Sequence, residues 1–372
     1  MNSSNIDVLK EPNTSPNSSK EKIFLKGMTL DELREFFEVN GESRFRGEQV
    51  FKWMYNDLVI NFKDMLNIPK QLRSTLKEKT ILSTLNTTEI EQSTTTGTRK
   101  FILETNEKNK IESVIIPEEK RTTLCISTQV GCPLDCKFCA TGLMGYKKNL
   151  AAGEIFDQYL IAAKDYGKDK ITNLVYMGMG EPLLNFNATI KTLKIFSEEL
   201  TTGISLKKIT VSTAGIAPKI KELADTGLKA KLSFSLHSCF DDKRNKIMPV
   251  NEKYSLKQNI EALKYYYKKN NSRITFEYVM LKDINDRDED IKALIKLCSQ
   301  MPSKINIIPF NSLKHMSPTG YAAELTPTPR HRIEDFAKKI REKNISVFVR
   351  NTQGDDIAAA CGQLAYKKTA SR

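Results

Sequence analysis

The chain has 372 residues, with 58 Lys and Arg against 45 Asp and Glu and a net charge of +13. That length can bury a substantial core without disulfide or metal staples. At 40 % hydrophobic and 28 % charged residues, the composition excludes collagen-like and disordered classes, and no run of about 18 apolar residues is present to cross a bilayer. The first twenty residues, MNSSNIDVLKEPNTSPNSSK, are rich in Ser, Asn and Pro and lack the apolar stretch of a signal peptide. They predict a disordered tail and a cytoplasmic protein with no membrane partner.

Residues 21–97 predict a helical accessory domain. Thr29 and Glu32 form a capping box opening TLDELREFFEV, in which Leu30, Leu33, Phe36 and Phe37 recur at helical spacing. RFRGEQVFKWMYND, with Trp53, and QLRSTLKEK after Pro69 predict two more helices. The charge is almost balanced over residues 1–80, with 13 basic and 12 acidic side chains, as in a packing domain.

Residues 98–350 predict the main α/β core with a preceding hairpin. TRKFILET and KIESVIIP form a β-hairpin around a turn at residues 106–109. Strands then alternate with helix-length amphipathic segments: TLCIST, TNLVYMG, KITVST, KLSFSLH, ITFEYVM, INIIPF and ISVFVR. Connections long enough for one crossover helix, between nearly continuous apolar strands, imply a parallel sheet. Six such units predict an α/β fold in the form of a partial (β/α)6 barrel. Polar punctuation follows the strands: a cysteine loop, then GMGEP, STAG, SLHS and PFNSL. Carboxyl ends of parallel strands share one face, where active sites are built.

There are seven cysteines, an odd number in a chain without a secretory signal, which argues against a disulfide framework. Cys132, Cys136 and Cys139 are spaced CxxxCxxC within GCPLDCKFCATG. Three thiolates on one compact loop suit an iron–sulfur cube with one iron left open, whereas a structural zinc site wants four protein ligands. Gly180 permits close backbone approach, and Glu181 offers a carboxylate to an amine. Ser212, Ser235, His237 and Asn311 supply hydroxyl, imidazole and amide groups at later strand ends, each equally able to serve a turn or cap. Cys239 and Cys298 read as small core hydrophobes. Cys361, in GDDIAAACGQLA on the tail formed by residues 351–372, fits that role less well. Residues 301–372 hold 12 basic and 6 acidic side chains, predicting that a polyanion docks there, on Lys338, Lys339, Arg341, Lys367 and Lys368, with Lys147 and Lys148 nearby. The KYYYKKNNSR segment reads as packing at a helix end.

The cysteine loop resembles the signature of the radical S-adenosylmethionine (radical SAM) superfamily. That resemblance implies a [4Fe-4S] cluster whose open iron chelates S-adenosylmethionine, and a one-electron reductant such as flavodoxin or ferredoxin. FRGEQVFKWMY, GCPLDCKFCATG, GMGEPLLN, STAG, FSLHS, PFN and DIAAACGQL together resemble the RlmN family of RNA adenine methyltransferases over residues 25–366. The family resemblance implies methylation of adenine carbon-2, at position 2503 of 23S ribosomal RNA and at position 37 of transfer RNA, with two molecules of S-adenosylmethionine per methyl. By it, Cys132, Cys136 and Cys139 hold the cluster, and Gly180, Glu181, Ser212, Ser235, Leu236, His237 and Asn311 line S-adenosylmethionine. Cys361 becomes S-methylated, Cys125 resolves the adduct by forming a disulfide, and Glu112 accepts a proton. Gln353 stands where relatives often have a second arginine. Pro182 stands where the related carbon-8 methyltransferases are expected to have alanine. Those enzymes, other radical SAM enzymes such as glycyl-radical activases, and an RNA-binding protein with a structural cluster remain the alternatives.

Overall fold

The computed structural model describes residues 22–201 and 204–366. The tail at residues 1–20 and the side chains of Lys367 and Lys368 lie outside these described residues. In the N-terminal unit the capping box forms: the Glu32 carboxylate accepts the Thr29 N–H at 2.9 Å. It opens the helix Leu30–Val39, which buries Leu33 and Phe37. Helices Arg44–Tyr55 and Lys70–Lys79 follow, and a short parallel pair, β1 (Ile23–Phe24) with β2 (Thr80–Ile81), closes the unit. The unit is welded to the core through the helix Ala152–Tyr166. Tyr55 packs edge-on against Phe156 with ring centroids 4.7 Å apart, and buried Lys26 sits 3.7 Å from Asp157.

The remaining strands form one ten-stranded sheet and a separate two-stranded pair. They are β3 (Leu85–Gln92), β4 (Arg99–Thr105), β5 (Lys110–Glu118), β6 (Arg121–Cys125), β7 (Gln129–Gly131), β8 (Tyr146–Asn149) and β9 (Asn173–Tyr176). β10 (Ile209–Thr213), β11 (Lys231–Ser235), β12 (Ile274–Met280), β13 (Ser303–Pro309) and β14 (Val347–Val349) complete the set. The sheet order is β14-β13-β12-β11-β10-β9-β6-β5-β4-β3. β6 and β9 through β14 are mutually parallel, so the barrel is partial and β14 is a free edge. β3, β4 and β5 are antiparallel extensions beside β6, and β7 pairs with β8 to frame the cysteine loop.

The hairpin and all seven strands expected from the sequence are present. β3 carries no sequence signal, because in LNTTEIEQ only Leu85 is buried; backbone pairing with β4 holds it as a strand. Leu124, Leu174, Val211, Phe234, Phe276 and Ile305 are fully buried at successive strands and form the apolar centre of the core. Cys239 and Cys298 pack against this core as partly buried free thiols. Tyr266 donates to the Ala230 carbonyl at 2.6 Å, so the tyrosine-rich segment is packing. No helix among the described residues is long and apolar enough to cross a membrane.

Candidate active site

A cavity of about 550 Å³ opens at the carboxyl ends of the parallel strands, within the range of ligand sites. Cys132, Cys136 and Cys139 line it and are free thiols. Their loop is fixed by its backbone: Cys132 N–H donates to Gly145 O at 2.9 Å and Lys137 N–H to Ile247 O at 2.9 Å. Burial pushes the Cys132 and Cys136 thiols up, and the Arg244 guanidinium draws Cys136 back. No three His, Cys, Asp or Glu side chains among the described residues converge on a single-ion site. Cys136 is buried and Cys132 and Cys139 are half-buried, and three thiols of one loop on one cavity wall suit a cube in which each cysteine takes its own corner iron. Phe138 packs edge-on against His237 at 4.6 Å and walls the cysteine loop.

The loop after β9 supplies Glu181. Its Oε2 accepts Ala214 N–H at 2.7 Å and its Oε1 accepts Leu183 N–H at 3.0 Å. Burial pushes this carboxyl up to about 7. A buried carboxylate held by two backbone N–H groups and the Thr213 hydroxyl, with no cation among the described residues paired to it, fits the amine of a ligand. Gly180 has φ +97°, and a Cβ there would lie 2.5 Å from Gln129 Cβ, so only glycine fits. Ser212, Ser235 and His237 also line the cavity. Burial lowers His237 to about 3, and its Nδ1 accepts Val279 N–H at 3.0 Å. The ring is therefore neutral and carries its proton on Nε2. Leu236 is not on the wall: its side chain is fully buried, its N–H donates to Glu277 O and its carbonyl accepts from Arg244.

The C-terminal segment brings Cys361 to the same cavity as Cys125, at the end of β6. The segment is pinned at several points. Asn311 Nδ2 donates to Cys361 O at 3.0 Å, Ala140 N–H to Gly362 O at 2.7 Å, and Thr141 Oγ1 to Leu364 O at 2.6 Å. Lys100 Nζ donates to Ile357 O at 2.6 Å. Burial pushes Cys125 up to about 12 and also raises Cys361, while the Arg350 charge lowers both. Cys361 is exposed and lines the cavity. Glu112 does not line it. That carboxyl lies on β5 behind the segment, 3.8 Å from Lys100 Nζ, with Oε2 unpartnered, and burial pushes it up to about 7.

Three contributors lie outside the site residues expected from the sequence, and two of them, Arg244 and Gln129, carry no sequence signal. Arg244 is fully buried and donates to the carbonyls of Ala214 (2.6 Å), Ser235 (3.0 Å) and Leu236 (3.1 Å), tying two site loops together. In DDKRNK it reads as one more surface charge. Gln129 Oε1 accepts Glu181 N–H at 2.8 Å. Arg350 follows β14, where the rule of strand ends points. Of the cations expected to dock a polyanion, Lys148 is tied to Glu107 and Glu154, and Lys339 to Asp288 and Asp335. Arg341 donates to Val347 O at 3.0 Å.

The "Radical SAM superfamily" pattern matches residues 126–297, and that of the "Ribosomal RNA large subunit methyltransferase N-terminal domain" matches residues 23–82. The "Probable dual-specificity RNA methyltransferase RlmN" of Clostridium beijerinckii is 44 % identical over 340 residues, spanning 91 % of this chain and 94 % of its own. The corresponding protein of Thermotoga neapolitana is 42 % identical over 347 residues, 93 % of this chain and 98 % of its own. A crystal structure of a radical SAM methyltransferase from Sphaerobacter thermophilus superposes with a TM-score of 0.85 at 36 % identity, covering 92 % of this chain and 99 % of that one. With both patterns in order and near-full-length identity on top of this site, the chain belongs to the RlmN family of radical SAM RNA methyltransferases.

Proposed function

We propose that this protein methylates carbon-2 of adenine in 23S ribosomal RNA and in transfer RNA, at positions 2503 and 37, with Cys361 as the methyl carrier. The observation that carries this is the meeting of Cys125 and Cys361 in the cavity walled by the three-cysteine loop. Carbon-2 is electron-poor and has no lone pair, so a sulfonium methyl does not transfer to it directly. The Cys361 thiolate takes the methyl first by displacement. The [4Fe-4S] cluster, held by Cys132, Cys136 and Cys139, supplies when bound the one-electron cleavage of a second S-adenosylmethionine to a radical that removes hydrogen from that methyl. Gly180, Glu181, Ser212, Ser235, His237 and backbone groups near Leu236 orient S-adenosylmethionine, and Asn311 holds the Cys361 backbone. The carbon on Cys361 joins carbon-2. The family resemblance makes Glu112, with a free Oε2, the acceptor of the carbon-2 proton, reached through a water because its carboxyl stands off the cavity wall. Cys125 then attacks the Cys361 sulfur, and the released carbon takes up a proton to complete the methyl group. The odd electron left by the radical addition passes back to the [4Fe-4S] group, so that methylated RNA departs and a disulfide is left to be reduced. A flavodoxin or ferredoxin in the cytoplasm supplies the electron. Pro182 on the cavity wall favours carbon-2 over carbon-8.

Mass spectrometry of nucleosides from cells with and without the protein tests the product, which is 2-methyladenosine. Cys125→Ala protein should accumulate a covalent RNA adduct at Cys361, absent from the Cys125→Ala, Cys361→Ala double variant. Full activity of Cys361→Ala rejects the mechanism.

A further inference from the structure

The cavity extends away from the cysteines along β13 and β14 to Lys304, Phe348 and Arg350. β14 is the edge of the sheet, so its cavity-facing side chains stand at the open side of the partial barrel. Phe348 and Arg350 are two residues apart and share that face, about 6.5 Å along the strand. Phe348 is an aromatic ring 57 % exposed. Lys304, one strand over, holds its Nζ 5.8 Å from the Phe348 centroid.

The charge here is only partly offset, by the nearby Glu277. Neither Lys304 nor Arg350 forms an ion pair among the described residues, unlike Lys148 and Lys339. Burial and repulsion from Lys231, Arg350 and Arg273 hold Lys304 below its ordinary value, opposed by Glu277. Glu277 is already occupied, accepting from Ser233 at 3.1 Å and Asn306 at 2.9 Å. Like charges gathered around an exposed ring are relieved by a phosphate backbone, and the ring accepts a base. Arg350 lines the same cavity as Cys125 and Cys361, so an anion on it shares the cavity with the reacting sulfurs.

We infer that Arg350, Phe348 and Lys304 form a cradle for single-stranded RNA beside the target adenine. Arg350 takes the phosphate next to the reacting nucleotide, Phe348 stacks the neighbouring base, and Lys304 takes the following phosphate. This rests on the RNA methylation proposed above. It places RNA contact in the cavity rather than on the helix Arg330–Arg341.

The test is fluorescence anisotropy of the anaerobic holoenzyme with an unmodified transfer RNA anticodon stem–loop, titrated over a range of salt. Phe348→Leu should bind about tenfold more weakly with an unchanged salt slope, and Phe348→Trp should restore affinity. Lys304→Gln should lower the log–log salt slope by about one, and Lys304→Arg should restore it. Wild-type affinity and slope in both Phe348→Leu and Lys304→Gln overturn the cradle, even if methylation proceeds. If instead Lys338→Gln, Lys339→Gln and Arg341→Gln together account for the whole salt slope, docking lies on the helix and the cradle is likewise overturned. A wild-type holoenzyme that neither binds nor methylates any RNA defeats the underlying activity, and the cradle with it.

Discussion

Asn311 Nδ2 lies 3.0 Å from the carbonyl oxygen of Cys361, and Asn311 Oδ1 accepts from the Thr352 hydroxyl at 3.2 Å. An amide just beyond β13 thus uses both of its ends to hold the segment that carries the reactive cysteine. Positioning of the sulfur depends on this clamp as well as on the anchors from Ala140 and Thr141.

Replacing Asn311 by Ala removes two hydrogen bonds of about 1 kcal/mol net each, of which the one to the Cys361 carbonyl holds the reactive segment directly. Amide exchange across residues 359–364 should rise about fivefold, and methyl loading of Cys361 should slow, while global stability changes little. Hydrogen exchange read by mass spectrometry checks this. Unaltered exchange would mean that the other anchors suffice.

Gly180→Ala should be far more damaging. Its φ of +97° and the 2.5 Å approach to Gln129 Cβ force both the loop and the Gln129 contact to Glu181 to shift. A loss of about 1–3 kcal/mol in stability and at least about tenfold in S-adenosylmethionine affinity follows. Equilibrium binding with denaturant melts measures both.

The buried Glu112 carboxyl gives a pH signature. Its folded pKa of about 7 stands above an unfolded value of about 4.3, so the native state binds the extra proton between those limits. Its contribution to stability is therefore complete below about pH 4.3 and lost as pH rises to 7, by at most about 1.4 kcal/mol per unit. Urea unfolding at several pH values should show this downward slope in the wild type and a flatter one in Glu112→Gln. Parallel curves would refute it.

Anaerobically prepared protein should be brown and hold about four irons. Cys132→Ala, Cys136→Ala and Cys139→Ala should each lose the visible absorbance and most of the iron, whereas Cys298→Ala should keep both. Iron analysis with absorption spectroscopy decides, and colour retained in any of the first three removes that cysteine from the cluster.

The sequence alone determined the parallel strands, the capping box at Thr29 and the three-cysteine loop, because each is set by local periodicity, spacing or chemistry. Leu174, Val211 and Phe234 announce buried strands, and Cys132, Cys136 and Cys139 sit within one short loop whose donors need no distant partner to be recognised. Tertiary structure decided the rest. β3 exists only because β4 offers it a ladder of backbone partners, and its own residues face solvent. Arg244 looks like a surface charge in DDKRNK, yet folding buries it completely against three carbonyls from two loops. Asn311 lines the cavity, as expected of a cofactor contact, and folding also makes it bond the Cys361 backbone. Lys339 near the chain end is tied to local acids, while Lys304 and Arg350 line the cavity without an ion pair among the described residues. Such outcomes depend on contacts between residues far apart in the chain, and a side chain's partners are fixed only when folding brings those segments together.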